Sequence, residues 1–223
     1  MCNFFSFITD PVNHPAEYYY FDWEYRKANM HENGLDSHSH ICAHFGLDED
    51  ICNKYEFNPL IGKFIVDQIN SDRDDSVAAG KWVNRLDFKT VVEPLIIKPI
   101  VNPLKLPAVT EVTDEHRQWL HEWALVRALV RNSVWGSVMV SVVGSVWNSV
   151  RPSVTTSDWD SVWSSVWDSV MAYASSFVDI GCEHDLSPAI KLWEAGLVPS
   201  LDDKTWRLHT GEDAHVVYEE AVK

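Results

Sequence analysis

The sequence has few basic residues for its length. Its 223 residues include 18 lysines and arginines against 33 aspartates and glutamates, which gives a net charge of −15 at neutral pH. A field of this sign repels nucleic-acid phosphates and anionic membrane surfaces, because both carry negative charge. We therefore expect neither nucleic acid nor a membrane among the partners.

Cysteine is also scarce, and the four cysteines include no C-x-x-C pair. This usage is typical of a reducing compartment and not of a disulfide framework. The first ten residues, MCNFFSFITD, lack the basic and long apolar regions of a secretory leader. The sequence contains no Walker loop, no G-x-G-x-x-G fingerprint and no Ser-His-Asp set that fits a hydrolase. The sequence therefore predicts a cytoplasmic protein.

Residues 1–107 predict a mixed α/β head. The aromatic runs MCNFFSFI and EYYYFDW are typical of strands, and KYEF-NPLIG-KFIVDQI predicts a hairpin around a turn with proline and glycine. Ser37 is expected to open a short helix that ends at Gly46, and Ser71–Leu86 to form another. Four prolines between 94 and 107 then favour extended chain over helix.

A tandem S-V-x-x repeat occupies Ser133–Val170. On a straight α-helix a four-residue period drifts by about 40° per repeat, so a long helix would present no single apolar face. Pro152 lacks an N–H and clashes with the preceding turn, so the helix is expected to end near Val150. The repeat domain, 108–180, is therefore predicted to be an antiparallel helical hairpin with arms at about 114–150 and 157–178.

Two other structures of the repeat have weaker support. A β-solenoid would place valine on one face with glycine, aspartate and asparagine, which is poor patterning. Ser133–Val150 is 18 residues without a charge, the threshold for a membrane-spanning helix. Its five serines and Asn148, together with three aspartates in the second arm, favour a helix outside the membrane.

The two arms carry more apolar surface than one hairpin is expected to hide, so the sequence predicts a homo-oligomer. The helical spacing of the tryptophans favours core or oligomer contacts over stacking on bases. The predicted interface comprises Trp135, Val138, Val142, Val146, Trp147, Trp163, Val166 and Trp167.

The C-terminal part, 181–223, predicts a helix ending at Gly196 and a β-hairpin. The turn of this hairpin is expected at Asp202 and the residue after it, with WRLH on one strand and HVVYE on the next. The predicted fold class is thus α+β: a mixed head, a helical hairpin, and a C-terminal helix with a β-hairpin.

Several strings resemble a family of uncharacterised proteins encoded by bacteriophages and bacterial mobile elements. They are LDSHSHI, NKYEFNPLIGKFIVDQIN, LDFKTVV, IIKPIVNPL, the S-V-x-x array and GLVPSLDDKTWRLH, which together cover most of the chain. The resemblance implies a location in the cytoplasm of a host bacterial cell. It implies no activity, no cofactor and no functional residue.

One segment has the composition of a metal site. Asp36, His38 and His40 fit D-x-H-x-H, which is similar to the first metal motif of the PHP phosphoesterases, and these side chains suit Zn²⁺ or Mn²⁺. In a helix, Asp36, His40 and His44 would instead share one face. The simpler interpretation is a capped helix with solvated histidines. Cys2 resembles an N-terminal nucleophile, but that chemistry requires removal of Met1.

The leading hypothesis is a non-enzymatic accessory protein of a phage or mobile element. It would form homo-oligomers and bind a host protein or a small-molecule ligand, including one involved in host defence. The alternative is a metal-dependent hydrolase, similar to a phosphoesterase, at Asp36, His38 and His40. The leading hypothesis needs no cofactor, whereas the alternative needs a divalent metal.

Overall fold

The computed structural model shows an α+β fold with helices and two three-stranded antiparallel sheets, which confirms the predicted class. It describes residues 4–29, 34–133, 137–154, 163–179, 184–202 and 204–222. Of 128–133, 137–140, 152–154 and 163–165 it describes the backbone only. The chain divides into two compact units, 1–99 with 136–141, and 100–135 with 142–223. The division at residues 107 and 180 stays a prediction.

The first unit contains the sheet β1–β2–β3, in that spatial order. Its strands are β1 (Phe5–Thr9), β2 (Asn53–Asn58) and β3 (Lys63–Gln68). Phe7 lies opposite Tyr55 in the register, and both aromatic side chains are completely buried. The predicted hairpin is β2–β3, and the first predicted strand is β1.

Short helices flank this sheet in the sequence: α1 (Trp23–Ala28), α2 (His38–Phe45), α3 (Ser76–Val83) and α4 (Phe88–Val91). The predicted caps of α2 are confirmed. Ser37 Oγ accepts a hydrogen bond from the His40 amide at 3.2 Å, and Gly46 ends the helix with φ of 67°. A left-handed residue at this position turns the chain so that the amides of Gly46 and Leu47 bond the carbonyls of Ala43 and Cys42, and glycine adopts this conformation without steric cost.

The second unit contains a 3₁₀ turn at Pro103–Lys105, four helices, one of which begins within the residues 136–141 of the first unit, and the sheet β4–β5–β6. The helices are α5 (Asp114–Ser133), α6 (Ser137–Val154), α7 (Trp163–Ser175) and α8 (Ser187–Glu194). The strands are β4 (Val198–Asp202), β5 (Thr205–Thr210) and β6 (His215–Ala221). None of these helices, as far as the structure describes them, is long and apolar enough to cross a membrane.

Two predicted elements of the first unit are corrected. EYYYFDW is not a strand: Tyr19 makes one isolated bridge with Ile8, and Asp22 accepts a hydrogen bond from the Tyr25 amide and so starts α1. The helix predicted from Ser71 begins only at Ser76. Polar side chains bind the backbone ahead of it, as where Asp74 accepts from the Ser76 amide at 2.8 Å, and this favours turns over helix.

The repeat helix does not end near Val150 as predicted, because α6 continues to Val154. Proline removes one N–H and so frees the carbonyl of Asn148 alone, a small loss in the last turn of a helix. The neighbouring carbonyl of Ser149 accepts a hydrogen bond from Asn102 Nδ2 at 2.8 Å. The connection to α7, residues 155–162, lies outside the described residues.

Candidate functional site

The three residues of the proposed metal motif have separate partners. Asp36 forms an ion pair with Arg26 at 2.5 and 2.8 Å, and the Arg26 side chain is 1% exposed. His38 Nε2 donates to the carbonyl of Tyr55 at 3.0 Å, while its Nδ1 lies 3.4 Å from Asp67. Within the described residues there is no group of three or more side chains that could hold a metal ion.

The sequence suggested that the histidines of α2 are solvated. The structure shows that not all of them are. His38 is buried because it bridges the first turn of α2 to β2. His40 is half-buried, with its ring edge-to-face against Phe21 at 5.5 Å. Both side chains have packing roles. Cys2, the candidate nucleophile, lies outside the described residues.

The structure describes only part of the predicted oligomer interface. Val142, Val146 and Val166 are buried within the single chain, at 0–1% exposure. Trp147 and Trp167 are half-buried and meet edge-to-face at 5.7 Å, which joins α6 to α7. Trp135 and the side chains of Val138 and Trp163 lie outside the described residues. One chain thus hides part of the apolar surface that the sequence assigned to a second copy.

A cavity of about 370 Å³ lies between α5 and one face of the β4–β5–β6 sheet. Leu201, Trp206 and Glu220 are register partners across the three strands, so they form one row on the sheet. Residues spaced by three and four on α5 face this row. The full lining is His121, Ala124, Leu125, Arg127, Leu201, Trp206, Glu220, Ala221 and Val222.

Trp206 supplies the aromatic surface of this cavity. Its side chain is 6% exposed, and the Arg127 guanidinium lies 5.7 Å from the ring centroid. Arg127 Nη1 also donates to Asp168 of α7 at 2.8 Å, and Asp168 is 2% exposed. A guanidinium held by a buried carboxylate cannot leave the ring, so α5, α7 and β5 fix the wall of the cavity together.

Hydrogen-bonded polar side chains complete the rim of the cavity. His121 Nε2 lies 2.7 Å from Glu220 Oε2, and the Tyr218 hydroxyl donates to the same oxygen at 2.8 Å. Burial and this carboxylate raise the pKa of Tyr218, so its hydroxyl stays a donor at neutral pH. Because Nε2 donates to a carboxylate, the imidazole presents Nδ1 to solvent or to a ligand. Leu125, beside it, is 80% exposed.

The structure also places a serine against a histidine. Ser200 Oγ lies 2.7 Å from His209 Nε2, and His209 Nδ1 donates to the carbonyl of Ala214 at 3.0 Å. This arrangement resembles a nucleophile with an oriented base. Ser200 is 0% exposed, however, so no substrate carbonyl can reach it. The pair is structural.

Sequence reasoning missed the cavity because its parts are far apart in the chain. His121 and Glu220 are separated by 99 residues. The available signals were local: helical spacing of His121 and Leu125, and alternation along the C-terminal strands. Neither signal says which helix packs on which sheet face.

Comparisons of the chain with family models, with curated proteins and with solved structures gave no match. A proposal for the function of the protein therefore rests on the geometry of the molecule.

Proposed function

We propose that the protein is a non-enzymatic binding protein whose cavity between α5 and the β4–β5–β6 sheet holds a small ligand. The main support for this proposal is the cavity itself. It has apolar walls, an aromatic surface in contact with Arg127, and hydrogen-bonded polar side chains at one rim. A largely apolar concave site with a few convergent polar groups is the usual form of a small-molecule site.

The lining indicates the chemistry of the ligand. Leu125, Leu201 and Val222 favour a small apolar body that contacts the exposed part of Trp206. His121 Nδ1 favours a hydroxyl group at one end, because a hydroxyl can both donate to and accept from an imidazole nitrogen. Naphthol has both features and serves as the probe.

Calorimetric titration with naphthol tests the proposal. We expect saturable binding in the sub-millimolar range by the native protein. Leu125→Glu should weaken it roughly tenfold, because the ligand must then desolvate a carboxylate. Leu125 is 80% exposed, so the fold should tolerate the change.

The matched control is Ile61→Glu, which adds the same charge at an aliphatic side chain that is 57% exposed in the first unit. This variant should bind naphthol as the native protein does. Equal weakening by both variants, or no binding by the native protein, contradicts the proposal.

The metal-dependent alternative has less support. It requires Asp36, His38 and His40 to share one ion, whereas Arg26, the Tyr55 carbonyl and Phe21 contact them separately. We therefore favour binding over hydrolysis.

Self-association remains part of the proposal, and its described support is the part of Trp147 and Trp167 that stays exposed in a single chain. The proposed setting is the cytoplasm of a host bacterium, which rests on the resemblance to phage and mobile-element proteins. Light scattering at tens of micromolar should give a mass above the 25.5 kDa of one chain. A mass of one chain would contradict self-association and leave the cavity unaffected.

A further inference from the structure

A second depression, shallow and open to solvent, lies in the first unit, between β3 and α3. This groove of about 600 Å³ is lined by Phe64 and Val66 of β3 and by Ser76, Val77, Gly80, Lys81, Asn84 and Arg85 along α3 and the turn after it. Its exposed apolar groups include Val66 at 43% and Val77 at 73%. Aliphatic side chains this exposed, side by side in one groove, mark a surface that another molecule can cover.

The helix lies close to the strand because Gly80 has no side chain. A Cβ built at Gly80 would stand 3.2 Å from Phe64 Cδ1, tighter than ordinary contact. The half-buried Phe64 ring therefore forms the floor of the groove, with α3 as one wall.

β3 is the last strand in the order β1–β2–β3, and no further strand pairs with it among the described residues. An edge strand presents backbone N–H and C=O groups that can pair with an added strand. Alternate residues Phe64 and Val66 line the groove, as a strand period of two requires. The groove thus offers a backbone edge and apolar sites together.

The charge of the groove is opposite to that of the molecule. Lys81 and Arg85 are exposed, stand four residues apart, and form no ion pair in the described parts of the chain. Other cations do have acidic partners: Arg26 with Asp36, Lys54 with Glu49, and Arg127 with Asp168. With acids in excess, two neighbouring cations without a partner favour an anionic group from outside the chain.

We propose that this groove binds an extended acidic peptide segment of a partner protein. The segment pairs its backbone with the β3 edge and places apolar side chains against Val66 and Val77. Its carboxylates meet Lys81 and Arg85. This site is independent of the cavity in the second unit.

A fluorescein-labelled short peptide tests the proposal by fluorescence anisotropy. Valine and glutamate take turns at every second position of this peptide, with serine between them, so that both side chains lie on the strand face that meets the groove. Native protein should bind the peptide, and Lys81→Glu/Arg85→Glu should weaken binding roughly tenfold or more, because two attractions become repulsions. Val77→Glu, at a largely exposed position, should also weaken the binding of this peptide. Amides of β3 should exchange hydrogen more slowly when the peptide is bound.

The matched control is Lys27→Glu/Lys89→Glu, which makes the same change in net charge at exposed lysines that do not line the groove. It should keep the native affinity to within about twofold, since exposed charges that do not contact the peptide are largely screened by salt. The same peptide with lysine in place of glutamate should not bind. Absence of binding to native protein, equal loss in both double variants, or unchanged exchange in β3 would overturn the proposal. So would self-association of the native protein that Lys81→Glu/Arg85→Glu abolishes, since a second copy would then be the occupant.

Discussion

At the scale of single residues, buried polar side chains bind one another across the elements of each unit. Asp75 Oδ1, at the start of α3, accepts hydrogen bonds from Thr9, Asn53 and Tyr55 at 2.6–3.1 Å. Burial and the bond to Asp75 raise the pKa of Tyr55, so its hydroxyl remains a donor. One carboxylate therefore ties α3 to two strands.

His209 makes the stability of the second unit depend on pH. Burial lowers its pKa below the usual value of about 6.5, so the unfolded chain takes up the proton first. Its stabilising effect is complete above pH 6.5 and is lost as the pH falls below it. In urea unfolding, His209→Gln should reduce this loss between pH 7 and 5, by at most about 1.4 kcal/mol per pH unit. The exposed His14→Gln should leave the native pH slope unchanged, and the same slope in all three proteins would contradict this role.

Asp36 is the ion-pair partner of Arg26. Asp36→Asn removes the carboxylate that pairs directly with a nearly inaccessible guanidinium, and we expect a loss of about 3–5 kcal/mol in the free energy of unfolding. Asp67→Asn is the control, because its side chain is 44% exposed and the expected loss is below about 1 kcal/mol. Stoichiometric zinc or manganese in native protein, absent from Asp36→Asn, would show that the motif binds metal.

At the scale of elements, local signals were predictive. Signals that span only a few residues predicted α2 and the β2–β3 hairpin. These signals are the caps Ser37 and Gly46 and the turn NPLIG. The strand β4 was missed because it contains Pro199, which a central strand does not tolerate. β4 is an edge strand, where a missing N–H costs little.

The end of α6 depends on a contact that the sequence does not reveal. Asn102→Asp keeps the Oδ1 that accepts from the Leu104 amide but replaces the donor to the Ser149 carbonyl with a carboxylate. We expect a loss of about 1–3 kcal/mol in urea unfolding, because negative charge near the end of a helix is also unfavourable. Asn148→Asp adds the same charge at an exposed position of α6 and should cost less than about 1 kcal/mol. Equal costs would mean that the Asn102 bond contributes nothing.

At the scale of the whole molecule, we expect net charge to control association. The net charge of −15 repels other copies at neutral pH, and the isoelectric point of about 4.9 removes that repulsion in mild acid. Dynamic light scattering should show particle size rising sharply as the pH approaches 5. A size independent of pH would indicate that short-range contacts, and not net charge, control association.

The central claim is that the cavity beneath α5 binds an apolar ligand on Trp206. The most direct measurement is the NMR signal of the tryptophan indole N–H groups during titration with naphthol. We predict that the Trp206 signal, assigned by its loss in Trp206→Phe, shifts and saturates at the calorimetric affinity, while Trp23 and Trp82 of the first unit stay in place. Binding of naphthol that leaves the Trp206 signal unmoved would contradict the account.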